Sequence, residues 1–324
     1  MPRPLNHPAN HAVIVAGPTC SGKSALAMHL AQRLAGTVIN ADSMQVYREL
    51  RVLTARPSQA DEAAIPHRLY GVRPAAEPGG LAWWRGAALE AMQAAQAQGR
   101  LPILCGGTGL YLAGLVQGIS DIPAPTAAAR LEARTLLGEL GPAELHARLA
   151  AVDPATAAQL RPQDSQRLAR AWEVWRSTGR GLAAWQAQPG QPPGYSFRMI
   201  LLDPPRPALR TAIAARFQAM LGQGALAEVD ALLAQTLDPA LPAMRAHGVP
   251  ELAACRRGEI SLAEAERRAV LATGQYTKRQ ATWFRHRSPV PAEHTHTIHA
   301  RFAGPEQFSE RTWSDIEGFV IQPG

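Results

Sequence analysis

Cysteine is scarce in this chain: Cys20, Cys105 and Cys255 are the only three in 324 residues. No two stand in C-x-x-C spacing, so the sequence offers neither a disulfide framework nor a zinc site, and all three are expected as small buried or loop residues. Long apolar runs are missing too. None approaches the roughly 20 residues needed to cross a bilayer, and the segment Met1 to Asn10 has no signal-peptide core. A cytoplasmic protein with no membrane partner is the expectation. Aromatics make up 6% of residues, and 26 acidic residues face 33 Lys and Arg, for a formal charge of +7. Hydrophobic content of 46% is ordinary for a chain that buries a core, and the length suits two domains, or one with a large insertion.

The positive charge recurs in helical stretches. Arg130 and Arg134 come first, then Arg161, Arg167, Arg170, Arg176 and Arg180. Arg256, Arg257, Arg267, Arg268, Lys278, Arg279, Arg285 and Arg287 follow. A basic protein without a special partner is one reading, but this distribution points to a polyanion larger than a nucleotide.

The most informative stretch is Gly17-Pro18-Thr19-Cys20-Ser21-Gly22-Lys23-Ser24. It fits G-x-x-x-x-G-K-[ST] at every fixed position, after the apolar run Ala12 to Ala16 and before the amphipathic segment Ser24 to Leu34. Strand, glycine loop and helix are the context this phosphate-binding motif requires. Glycines let successive N–H groups turn toward one anion, and the helix start adds partial positive charge. Lys23 supplies a full charge, and Ser24 is the candidate ligand of a magnesium ion that bridges phosphate oxygens. A diphosphate or triphosphate is the expected occupant.

Residues 11–121 alternate strand and helix, with Thr37 to Asn40 and Leu101 to Cys105 as further strands and Trp83 to Gln98 as a helix. That pattern predicts a parallel sheet covered on both faces, with ligands at the carboxyl ends of its strands. Residues 122–196 change character: they are rich in Ala, Leu, Arg and Glu, with helix stops at Gly141-Pro142, Asp153-Pro154 and Arg161-Pro162, and read as a small inserted helical domain. The Pro/Gly run Pro189 to Gly194 closes it. Residues 197–300 return to the core, through a strand at Phe197 to Leu202 and long helices over Thr211 to Gln235 and Ser261 to Arg287. Residues 301–324 read as a tail. The predicted fold class is α/β, a parallel sheet flanked by helices; the resemblance given below implies that this core is P-loop kinase-like.

Other candidates are weaker. Asp203 ends an apolar run as a Walker B carboxylate would, but Pro204-Pro205-Arg206-Pro207 is an odd continuation and Asp is common at such turns. His294, His296 and His299 lack the Cys or acidic partners of a metal site and read as a solvated tail. Trp83, Trp84, Trp172 and Trp175 read as core. Trp283, among cations, has base stacking as an alternative to core packing. Asp42 is different: it follows a strand and is aimed at the phosphate rim, where a carboxylate holds magnesium or takes a proton from a nucleophile, with a helix N-cap as the structural alternative. Gly106-Gly107-Thr108 adds a hydroxyl nearby.

Seven ordered blocks resemble the tRNA dimethylallyltransferases (tRNA isopentenyltransferases): 17–24, Asn40 to Tyr47, Thr54 to Pro57, Pro66 to Leu69, Gly106 to Tyr111, Asp164 to Val174 and Lys278 to Arg285. The resemblance implies transfer of a dimethylallyl group from its diphosphate to N6 of adenosine 37, beside the anticodon of tRNA, with Mg2+. It implies that Asp42 accepts the N6 proton, that Thr108 hydrogen-bonds at the same centre, and that Arg216 holds the diphosphate with Lys23 and the loop. By the family pattern, RNA contacts fall on Asp42, Ser43, Met44 and Gln45, on Thr108 and Arg130, and on Gln166, Arg167, Leu168, Ala169 and Arg170. They also fall on Arg245, Ala246, His247, Gly248, Val249 and Pro250. A monomer is expected. The chain departs from the pattern at Leu53 (usually Gly), Ala212 and Gly274 (often Arg), and Val249-Pro250 (commonly Tyr-Arg); the last three remove possible phosphate contacts. A small-molecule P-loop kinase, a free-nucleotide isopentenyltransferase and an RNA-binding NTPase remain as rivals.

Overall fold

The computed structural model describes residues 10–188 and 190–322; most of the N-terminal segment and Pro189, read from sequence above, lie outside them. The chain divides into a core unit, residues 1–116 with 193–324, and an inserted unit, residues 117–192. The insertion thus begins and ends slightly before the expected 122–196. The core unit opens with β1 (His11–Ala16), α1 (Lys23–Arg33), β2 (Gly36–Asn40), α2 (Gln59–Ala64), β3 (His67–Arg68), α3 (Leu81–Ala97), β4 (Leu101–Gly106) and α4 (Gly109–Gln117). The insertion carries α5 (Ala127–Val152), α6 (Pro154–Ala157), α7 (Ser165–Thr178) and α8 (Leu182–Gln186). The core resumes with β5 (Ser196–Leu202), α9 (Arg206–Gly222), α10 (Ala225–Leu233), α11 (Val249–Arg256), α12 (Leu262–His286), β6 (Thr295–Ile298) and α13 (Glu310–Ile321).

Six strands form one parallel sheet in the order β3-β2-β4-β1-β5-β6. β1 is buried at every position, as a strand covered on both faces requires. Its side chains alternate between two apolar layers. Val13 and Val15 face a cluster with Leu26, Leu30, Trp313, Ile316 and Val320, while Ala12, Ile14 and Ala16 face one with Trp84, Met92, Leu112 and Phe284. From β1 the chain moves to β2 on one side, and from β4 it crosses to β5 on the other. The order reverses between β1 and β4, the position where such sheets open a crevice at their carboxyl ends.

Three features differ from the sequence reading. The helix expected over 211–235 is two, because Gly224 adopts φ +98 and ends the first; backbone in that region costs little only for glycine. The expected tail is not free. Ser309 caps α13 through its side chain, and Trp313, Ile316 and Val320, spaced three and four apart, bury against the sheet. The His294–His299 segment, expected as a solvated tail with a short strand-like piece at Thr297-Ile298, pairs over Thr295–Ile298 with β5 as the edge strand and leaves His296 and His299 exposed.

The inserted unit has its own small core of Ala133, Leu145, Leu149, Leu168, Ala171 and Trp172. Gly141 kinks α5 at φ +75, where the stop was expected. Asp153 is buried and accepts from Thr156 N and Leu182 N, both at 3.2 Å, which satisfies two helix-start donors.

Candidate functional site

The loop between β1 and α1 combines Cys20 at φ +66 with Gly22 at φ +91. Alternating handedness of this kind gathers backbone N–H groups into an anion-binding concavity. Gly22 has no room for a side chain, because a Cβ there would collide with the Phe302 carbonyl. The segment after β6 braces the loop: Phe302 N donates to Ser21 O at 2.9 Å, and Arg301 Nε donates to Cys20 O at 2.8 Å. Two further cations stand at the loop. Lys23 Nζ lies 3.4 Å from Pro18 O, and Arg216 Nη1 lies 3.7 Å from Cys20 Sγ, with Nη2 3.4 Å from Thr54 O. Ser24 stands in the first turn of α1 near the Cys105 thiol; burial pushes that thiol up to about 11 despite the neighbouring Lys23 charge, so it is neutral at pH 7.

Asp42 follows β2. Asn40, fully buried, accepts from Asp42 N at 2.8 Å and donates to Asp42 O at 3.0 Å and to Leu69 O at 3.1 Å. The carboxylate caps a turn rather than a helix: Oδ1 accepts from Met44 N at 2.9 Å, and Oδ2 has no hydrogen bond among the described residues. Thr108 follows β4, and its Oγ1 accepts from Ser43 N at 3.0 Å. The predicted pair Asp42 and Thr108 is therefore held together by backbone contacts at one rim. Gln45 is turned inward, its amide donating to Thr54 O at 2.8 Å and Ala55 O at 3.1 Å.

Sequence reasoning missed two residues on α12. The Tyr276 hydroxyl lies beside Thr108 and Gln280, and it is held well above the usual phenol range by burial and by the Asp42 carboxylate. Gln280, 4% exposed, accepts at Oε1 from Thr19 N at 2.9 Å and Thr19 Oγ1 at 3.2 Å, and donates from Nε2 to Gly107 O at 2.9 Å. The signal for both was a polar pair four apart on a helix face that also carries Trp283, which packs on Gly109 as core. Nearby, the His247 ring lies 4.9 Å from that of Tyr276, and its pKa is lowered by burial and Arg279 against the pull of Glu251 and Asp42.

The remaining predicted residues divide by exposure. In the insertion Arg130, Gln166 and Arg167 are exposed, Ala169 and Arg170 are half-buried, and Leu168 is buried in the small core. In the core unit Arg245 and Pro250 are exposed and His247 is half-buried, while Ala246, Gly248 and Val249 are buried and support the turn. Leu53 is buried because it packs against Gly248, whose Cβ would lie 2.8 Å from Leu53 Cδ2. Leu53 N also joins Arg51 N and Val52 N on the Glu228 carboxylate, at 2.9, 2.7 and 2.6 Å. Several arginines of the basic stretches stand in surface ion pairs: Arg167 with Asp164, Arg170 with Glu173, Arg176 with Glu132, Arg256 with Asp230, Arg267 and Arg268 with Glu264, and Arg285 with Asp203. Asp203 forms an ion pair with Arg285 at 3.4 Å and lies 3.9 Å from His299 Nδ1.

Among the described residues no three His, Cys, Asp or Glu side chains gather as a metal site. Ser24, exposed at the start of α1, fits the one-ligand role of a magnesium ion whose other positions come from phosphate oxygens and water. No described helix is long and apolar enough to cross a membrane.

The sequence model of a family described as IPP transferase matches residues 45–287, and one described as isopentenyl transferase matches residues 10–74. The tRNA dimethylallyltransferase of Granulibacter bethesdensis is 64% identical over 310 residues, 95% of this chain and 97% of that one. The structure of the tRNA isopentenylpyrophosphate transferase of Bacillus halodurans aligns with a TM-score of 0.66 at 28% identity, over 96% of this chain and 95% of that one. A eukaryotic dimethylallyltransferase acting on tRNA shares the fold, with a TM-score of 0.79 at 22% identity over 97% of this chain and 81% of that one.

Proposed function

The chain belongs to the tRNA dimethylallyltransferase (IPP transferase) family, and from that premise we propose that it transfers a dimethylallyl group from dimethylallyl diphosphate to N6 of adenosine 37 in the anticodon stem-loop of tRNA, releasing diphosphate. The allylic C–O bond breaks, its electron pair leaves on the diphosphate, a C–N bond forms, and the N6 proton goes to Asp42 Oδ2. The observation that carries this reading is one rim holding both halves of the chemistry. The phosphate loop with Lys23 and Arg216 is a cationic cradle, and Asp42 offers a carboxylate oxygen with no hydrogen bond among the described residues.

Each group has a physical task. Loop N–H groups, Lys23 and Arg216 stabilise the charge that develops on the departing bridging oxygen, where preorganised donors lower such a barrier most. Thr108 fixes the Asp42 turn through Ser43 and presents its hydroxyl beside Tyr276. Magnesium bound at Ser24 would add charge neutralisation on the diphosphate. Adenine must leave its stack to bring N6 to a carboxylate at a strand end. The exposed cations Arg130, Arg167 and Arg245 suit phosphodiester contacts.

Labelled dimethylallyl diphosphate offered to unmodified tRNA, to an anticodon stem-loop and to AMP tests the proposal. Label is expected in the tRNA and the stem-loop at adenosine 37. Label in AMP alone, or turnover of ATP without prenyl transfer, would reject it.

A further inference from the structure

Two loops must hold their spacing for the proposed transfer to work. The phosphate loop follows β1 and the Gly106-Gly107-Thr108 loop follows β4, on adjacent strands of the sheet. The first binds the leaving group and the second fixes the base. Between them lies one buried amide. Gln280 receives the Thr19 N–H on one side and donates to Gly107 O on the other, at 2.9 Å each. The orientation of this amide is set without ambiguity: the Thr19 N–H can only donate and the Gly107 carbonyl can only accept, so Oε1 faces the first and Nε2 the second. Gly107 leaves the amide no slack, because a Cβ on it would collide with Gln280 Nε2. One residue further, Thr108 binds Ser43 N at 3.0 Å beside Asp42. Donor cradle, Gln280, Thr108 loop and base turn form one continuous hydrogen-bonded path within the core unit.

We propose that Gln280 is a positioning residue that sets the separation between the diphosphate cradle and the Asp42 base. The inference rests on the transfer reaction proposed above. Glutamine suits the task because its amide is at once acceptor and donor across a single plane. A carboxylate would set two acceptors against Gly107 O, and an apolar side chain would leave the buried Thr19 N–H unpaired. A misplacement of about 1 Å between reacting groups lowers rate by about 10²-fold without weakening binding.

The test compares the parent with Gln280→Met, which keeps length and loses both hydrogen bonds, and Gln280→Glu, which keeps only the acceptor. Gly107→Ala perturbs the same contact from the opposite side and serves if the buried Met or Glu variant fails to fold. Single-turnover transfer at saturating dimethylallyl diphosphate and tRNA should fall by about 10²-fold in each folded variant. Dissociation constants for both substrates should change by less than about threefold. The double variant Gln280→Met with Gly107→Ala should lose little more than the worse single variant, since both act through one contact. Transfer within about threefold of the parent, a loss carried wholly by weaker substrate binding, or losses that multiply in the double variant would overturn the assignment. A parent protein that transfers nothing would instead sink the reaction itself, so the two failures are distinguishable.

Discussion

Thr108 Oγ1 accepts the backbone N–H of Ser43 at 3.0 Å, joining two strand ends that are 65 residues apart in sequence. Thr108 N also donates to Ala41 O at 3.3 Å, so the base turn and the Gly-Gly-Thr loop move as one piece. Thr108→Val keeps the shape and strands the Ser43 N–H, a loss of about 1–3 kcal/mol in local positioning. Single-turnover transfer should fall by about 10–100-fold, and Thr108→Ser should recover most of it. Equal rates for the Val and Ser variants would show that the hydroxyl plays no part.

Arg216 stands over Cys20 at the phosphate loop with no carboxylate partner among the described residues. A charged hydrogen bond to phosphate contributes about 1.5–3 kcal/mol, so Arg216→Gln should raise the dissociation constant for dimethylallyl diphosphate by about 10–100-fold while tRNA affinity holds. Calorimetric titration of the donor alone reads this directly. An unchanged donor affinity would remove Arg216 from the cradle.

Trp313 ties the C-terminal helix to the sheet: it is 1% exposed, and its Nε1 donates to Pro305 O at 3.0 Å. Trp313→Ala should cost about 3–5 kcal/mol of stability, measured as a lowered urea midpoint. Because Arg301 and Phe302 brace the phosphate loop just before this helix, donor binding should weaken in the same variant. A stable variant with normal donor binding would mean that α13 docks without consequence for the site.

His29 lies 4.2 Å from the Trp313 ring, and its Nε2 is buried without a partner. Its pKa is lowered by burial and by Arg33, against Glu317 and Glu310. The folded state therefore resists a proton that the unfolded histidine takes near 6.5. Below that pH the unfolded state binds more protons, so this contribution is present at neutral pH and is lost as pH falls through about 6.5 toward the folded value. Urea midpoints at pH 7 and pH 5 should converge in His29→Gln relative to the parent. An equal pH slope in both proteins would contradict it.

The phosphate loop, Asp42 and the Gly106-Gly107-Thr108 loop were readable because each is written in a short local stretch. Four of the six strands were readable as apolar runs. The unread parts depend on partners far along the chain. Gln280 and Tyr276 look like ordinary helix polars until Thr19, Gly107 and Thr108 close around them. Asn40 and Gln45 are spent on backbone groups, which no spacing reveals. Arg267 and Arg268 stand among the recurring arginines, yet Glu264 lies one turn before them on the same helix and pairs with both. The helix Glu310–Ile321 was hidden by prolines upstream of it, although Trp313, Ile316 and Val320 have helical spacing.

Asp42→Asn tests the central claim most directly. It keeps the shape of the side chain and an acceptor for Met44 N, and removes the negative charge together with the capacity to take a proton. With dimethylallyl diphosphate and tRNA both saturating, single-turnover transfer is predicted to fall by about 10²–10⁴-fold while tRNA binding stays close to the parent's. A variant that transfers the prenyl group at near-parent rate would contradict the assignment of Asp42 as the base.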